Sequence, residues 1–308
     1  MTKRIFITGA AGLVGQNLIA QLARSGEFEL IAVDKHPQNT AILQELHPRM
    51  KVVQADLAEP GPWEDLVAQC DAVVMLQAQI GGLDPQEFER NNIIATQRVL
   101  AAARADAHLV HVSSSVVNSA ARDLYTESKK RQEALVAASD LSHVILRPTL
   151  MFGWFDRKHL GWLRRFMSKT PVFPIPGDGR YLRQPLYAGD FAAIIRACLQ
   201  NRMQGAYNIS GLERIDYIDL IRLIREIDGA RTPIVKIPVW LFAFLLKTYA
   251  LLDPNPPFTA AQLEALRTPD IFEVIDWPSI FAVRATPLRE ALTATFKDPT
   301  YADVELKF

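Results

Sequence analysis

The run Thr8-Gly9-Ala10-Ala11-Gly12-Leu13-Val14-Gly15 follows directly on the apolar stretch Ile5-Phe6-Ile7, and its reading decides the fold. Taken as a strand that ends in a turn and opens a helix, it gathers backbone N–H groups and the positive end of a helix dipole around one small space. Such a space suits an anion, as the pyrophosphate of a dinucleotide is. Gly9 permits the tight turn, Gly12 lets backbone approach the phosphates with no Cβ in the way, and Gly15 lets the helix lie close on the strand. The spacing Gly-x-x-Gly-x-x-Gly is one residue longer at its first gap than the usual fingerprint, and by itself it is also compatible with simple helix-strand packing.

Working outward, Leu13 to Arg24 carries apolar residues at helical spacing, and Leu30-Ile31-Ala32-Val33 is a short apolar run that ends at Asp34. Asp34 follows the last glycine by about 20 residues, where a dinucleotide fold sets an acid against the adenosine ribose hydroxyls. A carboxylate there repels a 2′-phosphate, so NAD is expected over NADP, although the adjacent Lys35 and His36 leave room for some NADP tolerance. The alternation continues through strands at Lys51–Gln54, Ala72–Leu76 and Leu109–Val112, with helices at Trp63–Gln69 and Pro85–Arg104. Strands alternating with helices predict a parallel α/β sheet of the doubly wound Rossmann type. Asp56-Leu57 sits just past the third strand, either at the adenine edge or as a turn and cap residue.

The fifth strand runs straight into Ser113-Ser114-Ser115, and hydroxyls at the carboxyl end of a parallel strand face the ligand crevice. Tyr125-Thr126-Glu127-Ser128-Lys129 then opens a helix expected to continue through Ala138. Residues i and i+4 share a helix face, so the lysine ammonium can approach both the phenol and a cofactor. A free tyrosine has a pKa of about 10, and a nearby cation stabilises its phenolate, which lets it exchange protons near neutrality.

The length of 308 residues suits one large domain with a smaller lobe, here divided into a dinucleotide-binding region 1–150 and a mostly helical lobe 151–308, with interleaving of the two left open. Thirty-four basic residues balance 34 acidic ones, so no overall field exists to hold nucleic acid, and a small-molecule partner is expected. Cys70 and Cys198 lie far apart without metal-ligand spacing, the histidines form no chelating pattern, and both cysteines read as core residues. The first strand begins almost at Met1, which leaves no space for a secretory signal and predicts a cytoplasmic protein. Pro238–Leu252 is the most apolar segment, but its 15 residues contain Lys247 and fall short of the ~20 that a membrane span needs. It reads as a core helix of the second lobe, with an exposed membrane-surface or partner-binding face as the less favoured alternative. Other helix candidates beyond Pro148 are Leu160–Ser168, Phe191–Leu199 and Tyr217–Ile227, with a strand at Ala206–Ile209. Pro254, Pro256 and Pro257 mark a loop before a helix at Ala260–Leu266.

Together these motifs resemble the extended short-chain dehydrogenase/reductases, in the NAD-dependent epimerase/dehydratase group, over nearly the whole chain. The carrying segments are Thr8–Gly15, Asp56-Leu57, Asn92-Ile93-Ile94-Ala95-Thr96, Ser114 with Tyr125 and Lys129, Leu146-Arg147-Pro148, and Pro176-Gly177-Asp178-Gly179-Arg180 through Asp190. The resemblance implies Ser114, Tyr125 and Lys129 as the catalytic residues. It implies NAD contacts from Gly9, Ala11, Gly12, Leu13, Val14, Gly15, Asp34, Asp56, Leu57, Gln77, Asn92, Tyr125, Lys129 and Pro148, and substrate contacts from Ser114, Ser115 and Arg183, with no metal. In sugar-nucleotide members an arginine seven residues before the conserved aspartate grips the diphosphate, which corresponds to Arg183. A homodimer built on the Pro85–Arg104 and Tyr125 helices is also implied.

Three departures narrow the chemistry. Val117-Asn118-Ser119 stands where the family usually has Val-Tyr-Gly, and the gap from Ser114 to Tyr125 is short. Ser115 and Val116 replace the Asp-Glu pair of the dehydratases, so elimination of water would lack its acid, and a decarboxylase would miss the glutamate at position 116. The expectation is therefore an NAD-dependent sugar-nucleotide epimerase-type oxidoreductase. The alternatives are an NAD(P)-dependent dehydrogenase or reductase of another hydroxyl or ketone, or a non-catalytic nucleotide-binding subunit. The last is suggested because Pro238–Leu252 and Phe258-Thr259-Ala260 resemble the C-terminal part of respiratory complex I accessory proteins.

Overall fold

A computed structural model describes residues 2–119, 122–252, 263 and 272–307. The predicted loop at Pro254, Pro256 and Pro257, Phe258 to Ala260, and most of the predicted helix at Ala260–Leu266 lie outside these described residues. Strands β1 (Lys3–Thr8), β2 (Phe28–Asp34), β3 (Lys51–Gln54), β4 (Ala72–Met75), β5 (His108–Val112) and β6 (Ser142–Pro148) are joined by helices α1 (Leu13–Ser25), α2 (Pro37–Leu46), α3 (Trp63–Val67), α4 (Pro85–Phe88), α5 (Ala95–Ala102) and α6 (Leu124–Ala137). The central sheet has seven strands in the order β11-β6-β5-β4-β1-β2-β3, where β11 is Gly205–Ile209, and every pairing in it is parallel. The order reverses at β1, and that reversal opens a crevice beyond the carboxyl ends of the strands.

The strands are apolar runs because helices cover both faces of the sheet. Ile5 and Ile7 point into one core with Leu18, Leu22 and Phe191, whereas Phe6 points into the other with Trp63, Val67 and Val99. Cys70 and Cys198 are both free and buried, as their apolar settings suggest, and burial pushes each thiol up to about 12. The predicted Pro85–Arg104 helix is interrupted. Between α4 and α5, residues Glu89–Ile94 form a wider π turn, which admits one extra residue and turns Asn92 into the interior.

The second lobe contains β7 (Met151–Phe152), α7 (Leu160–Lys169), β8 (Phe173–Pro176), β9 (Leu182–Arg183), β10 (Leu186–Tyr187), α8 (Ala188–Asn201), β12 (Ile215–Asp216), α9 (Tyr217–Asp228), β13 (Ile234–Ile237), α10 (Val239–Leu252), α11 (Trp277–Phe281) and α12 (Leu288–Lys297). Not all of this stretch stands apart from the Rossmann sheet. β11 extends that sheet beside β6, and α8 packs on α1. The lobe has its own core around Phe173, Ile221, Ile224 and Leu292.

The reading of Pro238–Leu252 as a core helix is corrected. The helix forms at Val239–Leu252, but Trp240 is 71% exposed, Phe244 60% and Leu245 49%, and no side chain from 239 to 248 is buried. Leucine and aromatic density could not distinguish these outcomes, because burial depends on whether another element covers the helix. Among the described residues no helix is long and apolar enough to cross a membrane.

Candidate active site

The glycine turn is built as its sequence requires. Gly9 has φ +59°, and a Cβ on it would stand 2.7 Å from the backbone nitrogen of Gln77, so both conformation and space demand glycine. A Cβ on Gly15 would lie 2.5 Å from the carbonyl oxygen of Ala10, which keeps α1 close to β1. Gly12 differs, since a Cβ there would meet nothing nearer than the Gly9 carbonyl at 3.4 Å, leaving open space in front of the helix N-terminus. The first-turn N–H groups of α1, carried by Leu13 and Val14 among others, lack intrahelical partners by helix geometry and border that opening. This cradle fits a dinucleotide pyrophosphate.

Asp34 ends β2 beside it. Its carboxylate accepts hydrogen bonds from the Ala11 N–H at 3.0 Å and the His36 N–H at 3.0 Å, so it also ties the glycine turn to the second strand. Asp56 is a turn residue and an ion-pair partner at once, accepting from the Ala58 N–H at 2.9 Å and from Arg90 at 3.0 Å. Burial raises its pKa, but the Ala58 N–H and the Arg90 charge outweigh that and hold the carboxyl below its usual value. Leu57 beside it is buried. Asn92 is fully buried and engaged by protein: its Oδ1 accepts from the Gln79 N–H at 2.7 Å and its Nδ2 donates to Ser128 Oγ at 2.9 Å. It thereby fastens the π turn to α6. Pro148 is the buried last residue of β6.

The three serines after β5 take different directions. Ser113 Oγ donates inward to Glu133 at 2.8 Å, and Glu133 also pairs with Arg147 of β6. Ser114 turns the other way, caps the short 3₁₀ segment Ser115–Asn118 by accepting from the Val116 N–H, and lies near enough to Tyr125 to act on its phenol. Ser115, half-buried, starts that segment. Asp123 caps α6 by accepting from the Thr126 N–H at 2.9 Å, which fixes where Tyr125 and Lys129 project.

The expected electrostatics of the tyrosine are corrected by the structure. Tyr125 has a raised pKa, because burial disfavours the phenolate and the Asp123 charge adds to this, with only the Ser114 hydroxyl opposing. Lys129 is itself fully buried, and desolvation lowers its pKa to about 7 against a partial rise from Glu133. Its ammonium donates to the Val112 carbonyl at 3.0 Å and to Gln132 Oε1 at 2.5 Å.

Gln132 belongs to a largely buried chain of side chains that sequence reading missed. Its Nε2 donates to Thr96 Oγ1 at 2.9 Å, Gln77 Nε2 also donates to Thr96 Oγ1 at 3.4 Å, and Thr8 Oγ1 bonds Gln77 Oε1. Lys129 is thus linked through four side chains to the strand that opens the glycine turn. The available signal was the i, i+3 spacing of Lys129 and Gln132 on one helix face. Arg183 sits elsewhere, half-buried on β9 of the second lobe, near enough for its charge to act on the buried Tyr217.

The sequence profile of the NAD dependent epimerase/dehydratase family matches residues 5–210, from the first strand through the last strand of the sheet. The chain belongs to that family. It is an NAD-dependent enzyme of the extended short-chain dehydrogenase/reductase type. Its relatives include a ceramide reductase of Caulobacter vibrioides, 26% identical over 76% of this chain and 73% of the relative. A dTDP-glucose 4,6-dehydratase of Streptomyces griseus is 27% identical over 75% of this chain and 80% of its own length. Among solved structures, the UDP-glucuronic acid 4-epimerase of Bacillus cereus in complex with NAD superposes with a TM-score of 0.65 at 25% identity, covering 76% of this chain and 88% of that one.

Proposed function

We propose that this enzyme is an NAD-dependent sugar-nucleotide epimerase-type oxidoreductase that works at a carbinol carbon, with Tyr125 as the acid/base. The observation that carries the reading is the placing of Ser114 beside Tyr125, one helical turn from the buried Lys129 at the carboxyl edge of the sheet. Ser114 Oγ donates a hydrogen bond to the substrate oxygen, and the Tyr125 phenolate takes the hydroxyl proton. The glycine turn and Asp34 would hold NAD, which would supply the acceptor for the two-electron hydride as that carbon becomes a ketone. Lys129, one helical turn along, holds the ribose side of the cofactor. An epimerase then turns the ketone over and returns the hydride to its other face. Arg183 is the candidate anchor for a substrate diphosphate.

A second reading is the reduction or oxidation of a non-sugar ketone or alcohol. It is favoured by Ser115 and Val116, which supply no acid for elimination, and by the similarity to a reductase. A non-catalytic subunit is disfavoured because such a module needs neither Tyr125 nor Ser114. The purified protein with NAD and a panel of UDP-, GDP- and dTDP-sugars, followed by absorbance of reduced cofactor and by product NMR, separates these readings. An epimerase interconverts isomers without accumulating NADH. A dehydrogenase releases NADH in step with product, and inertness toward all sugars and simple alcohols overturns the catalytic assignment.

A further inference from the structure

Helix α10 is apolar around its whole circumference, with Lys247 its one charged residue, yet no side chain from 239 to 248 is buried. A helix of that composition is ordinarily enclosed by protein or by lipid. It is fixed to the second lobe at one end: β13, which leads into it, pairs in parallel with β8, and a Cβ on Gly177 would lie 3.3 Å from Val239. Beyond that anchor it presents Trp240 and Phe244 one turn apart, with Leu245 next in the chain, as the most exposed large apolar side chains among its described residues.

Charge distinguishes the possible occupants. From Ala230 to Leu252 the sequence has three cations, Arg231, Lys236 and Lys247, all exposed, and no acid, in a chain whose charges balance as a whole. Four acids elsewhere in the lobe are already paired: Asp216 and Asp219 with Arg180, Asp228 with Arg164, and Glu226 with Arg289. Lysine is depleted at the cores of protein interfaces. Beside a bilayer, by contrast, its stem lies along apolar surface while its ammonium reaches anionic headgroups, and tryptophan favours the same depth.

We propose that α10, with Lys236 and Lys247, is a docking surface for an anionic lipid bilayer, on which the enzyme rests without spanning it. The aromatic and leucine side chains enter the boundary between headgroups and acyl chains, and the lysines flank them toward phosphate and carboxylate groups. The helix is too short to cross, so the contact is peripheral and reversible.

Sedimentation of the full-length protein with vesicles of phosphatidylcholine, alone or mixed with phosphatidylserine, tests this without any substrate. Binding is expected to the mixed vesicles, to weaken with added salt, and to fall roughly tenfold or more in the Lys236→Glu/Lys247→Glu variant, since each basic residue near such a surface contributes several-fold. Trp240→Ser/Phe244→Ser is expected to abolish it while thermal unfolding and NAD binding stay at parental values. Absence of binding to the mixed vesicles overturns the proposal, as does binding that neither variant alters. An oligomer that Trp240→Ser/Phe244→Ser converts to monomer, in a protein that ignores vesicles, would assign the face to a second copy instead.

Discussion

Lys129 Nζ donates to Gln132 Oε1 at 2.5 Å inside the protein, three residues along the same helix, and to the Val112 carbonyl on the neighbouring strand. Two of its three donors are thus held by neutral oxygens, which orients the remaining one. Gln132→Leu removes the oxygen that supports the charged form, so Lys129 should lose its proton at still lower pH. Activity that depends on the ammonium is expected to decline at lower pH than in the parent, with stability reduced by about 1–3 kcal/mol for the disrupted buried contact. A pH-rate profile and urea unfolding measure the two effects. An unshifted profile would show that Gln132 does not position the lysine.

The burial of Lys129 also makes stability depend on pH. Its folded pKa of about 7 lies below the ordinary 10.5, so between these values the unfolded chain binds more protons. The cost of burying the charge is fully present below pH 7 and is relieved as pH rises toward 10.5, at up to ~1.4 kcal/mol per pH unit. Lys129→Met should flatten that rise. Denaturant melts of both proteins across this window check it, and parallel curves would contradict the assignment.

Tyr125→Phe deletes one oxygen and almost no apolar volume, so fold and NAD binding should persist. Turnover is expected to drop roughly 10²- to 10⁴-fold, the usual contribution of a positioned acid/base. Steady-state assays beside cofactor titration read both quantities. Parental turnover in the phenylalanine variant would refute the role of the phenol.

Asp34→Ala should weaken NAD by about 1.5–3 kcal/mol and narrow the preference over NADP, because the ribose hydrogen bonds and the repulsion of a 2′-phosphate are lost together. The same substitution frees the Ala11 N–H, so part of the loss comes from a looser glycine turn. Calorimetry with both cofactors separates the contributions. Equal NAD and NADP affinities in the unsubstituted protein would already remove Asp34 from the ribose.

Arg183→Ala is expected to raise KM for a diphosphate-linked sugar far more than it lowers kcat, since an anchor remote from the reacting carbon acts alike on ground and transition states. UDP binding measured by calorimetry gives the direct readout. Undiminished UDP affinity would place the diphosphate elsewhere.

The sequence by itself determined the elements whose cause is local. Gly9 and Gly15 are required by a left-handed turn and a close helix, Asp34 by the end of an apolar strand, and the Tyr125–Lys129 spacing by helical period, so all were legible in order. The parallel sheet followed from alternating patterns. Only the tertiary structure decided the rest, because it depends on partners distant in the chain. It turned Ser113 toward Glu133 and Ser114 toward Tyr125, recruited β11 into the sheet from beyond residue 200, and joined Thr8, Gln77, Thr96 and Gln132 into one largely buried chain ending at Lys129. It raised the pKa of Tyr125 where sequence spacing suggested a fall, since desolvation is a property of the surrounding fold. It also left α10 uncovered from 239 to 248: apolar composition sets what a helix avoids, whereas packing sets what encloses it.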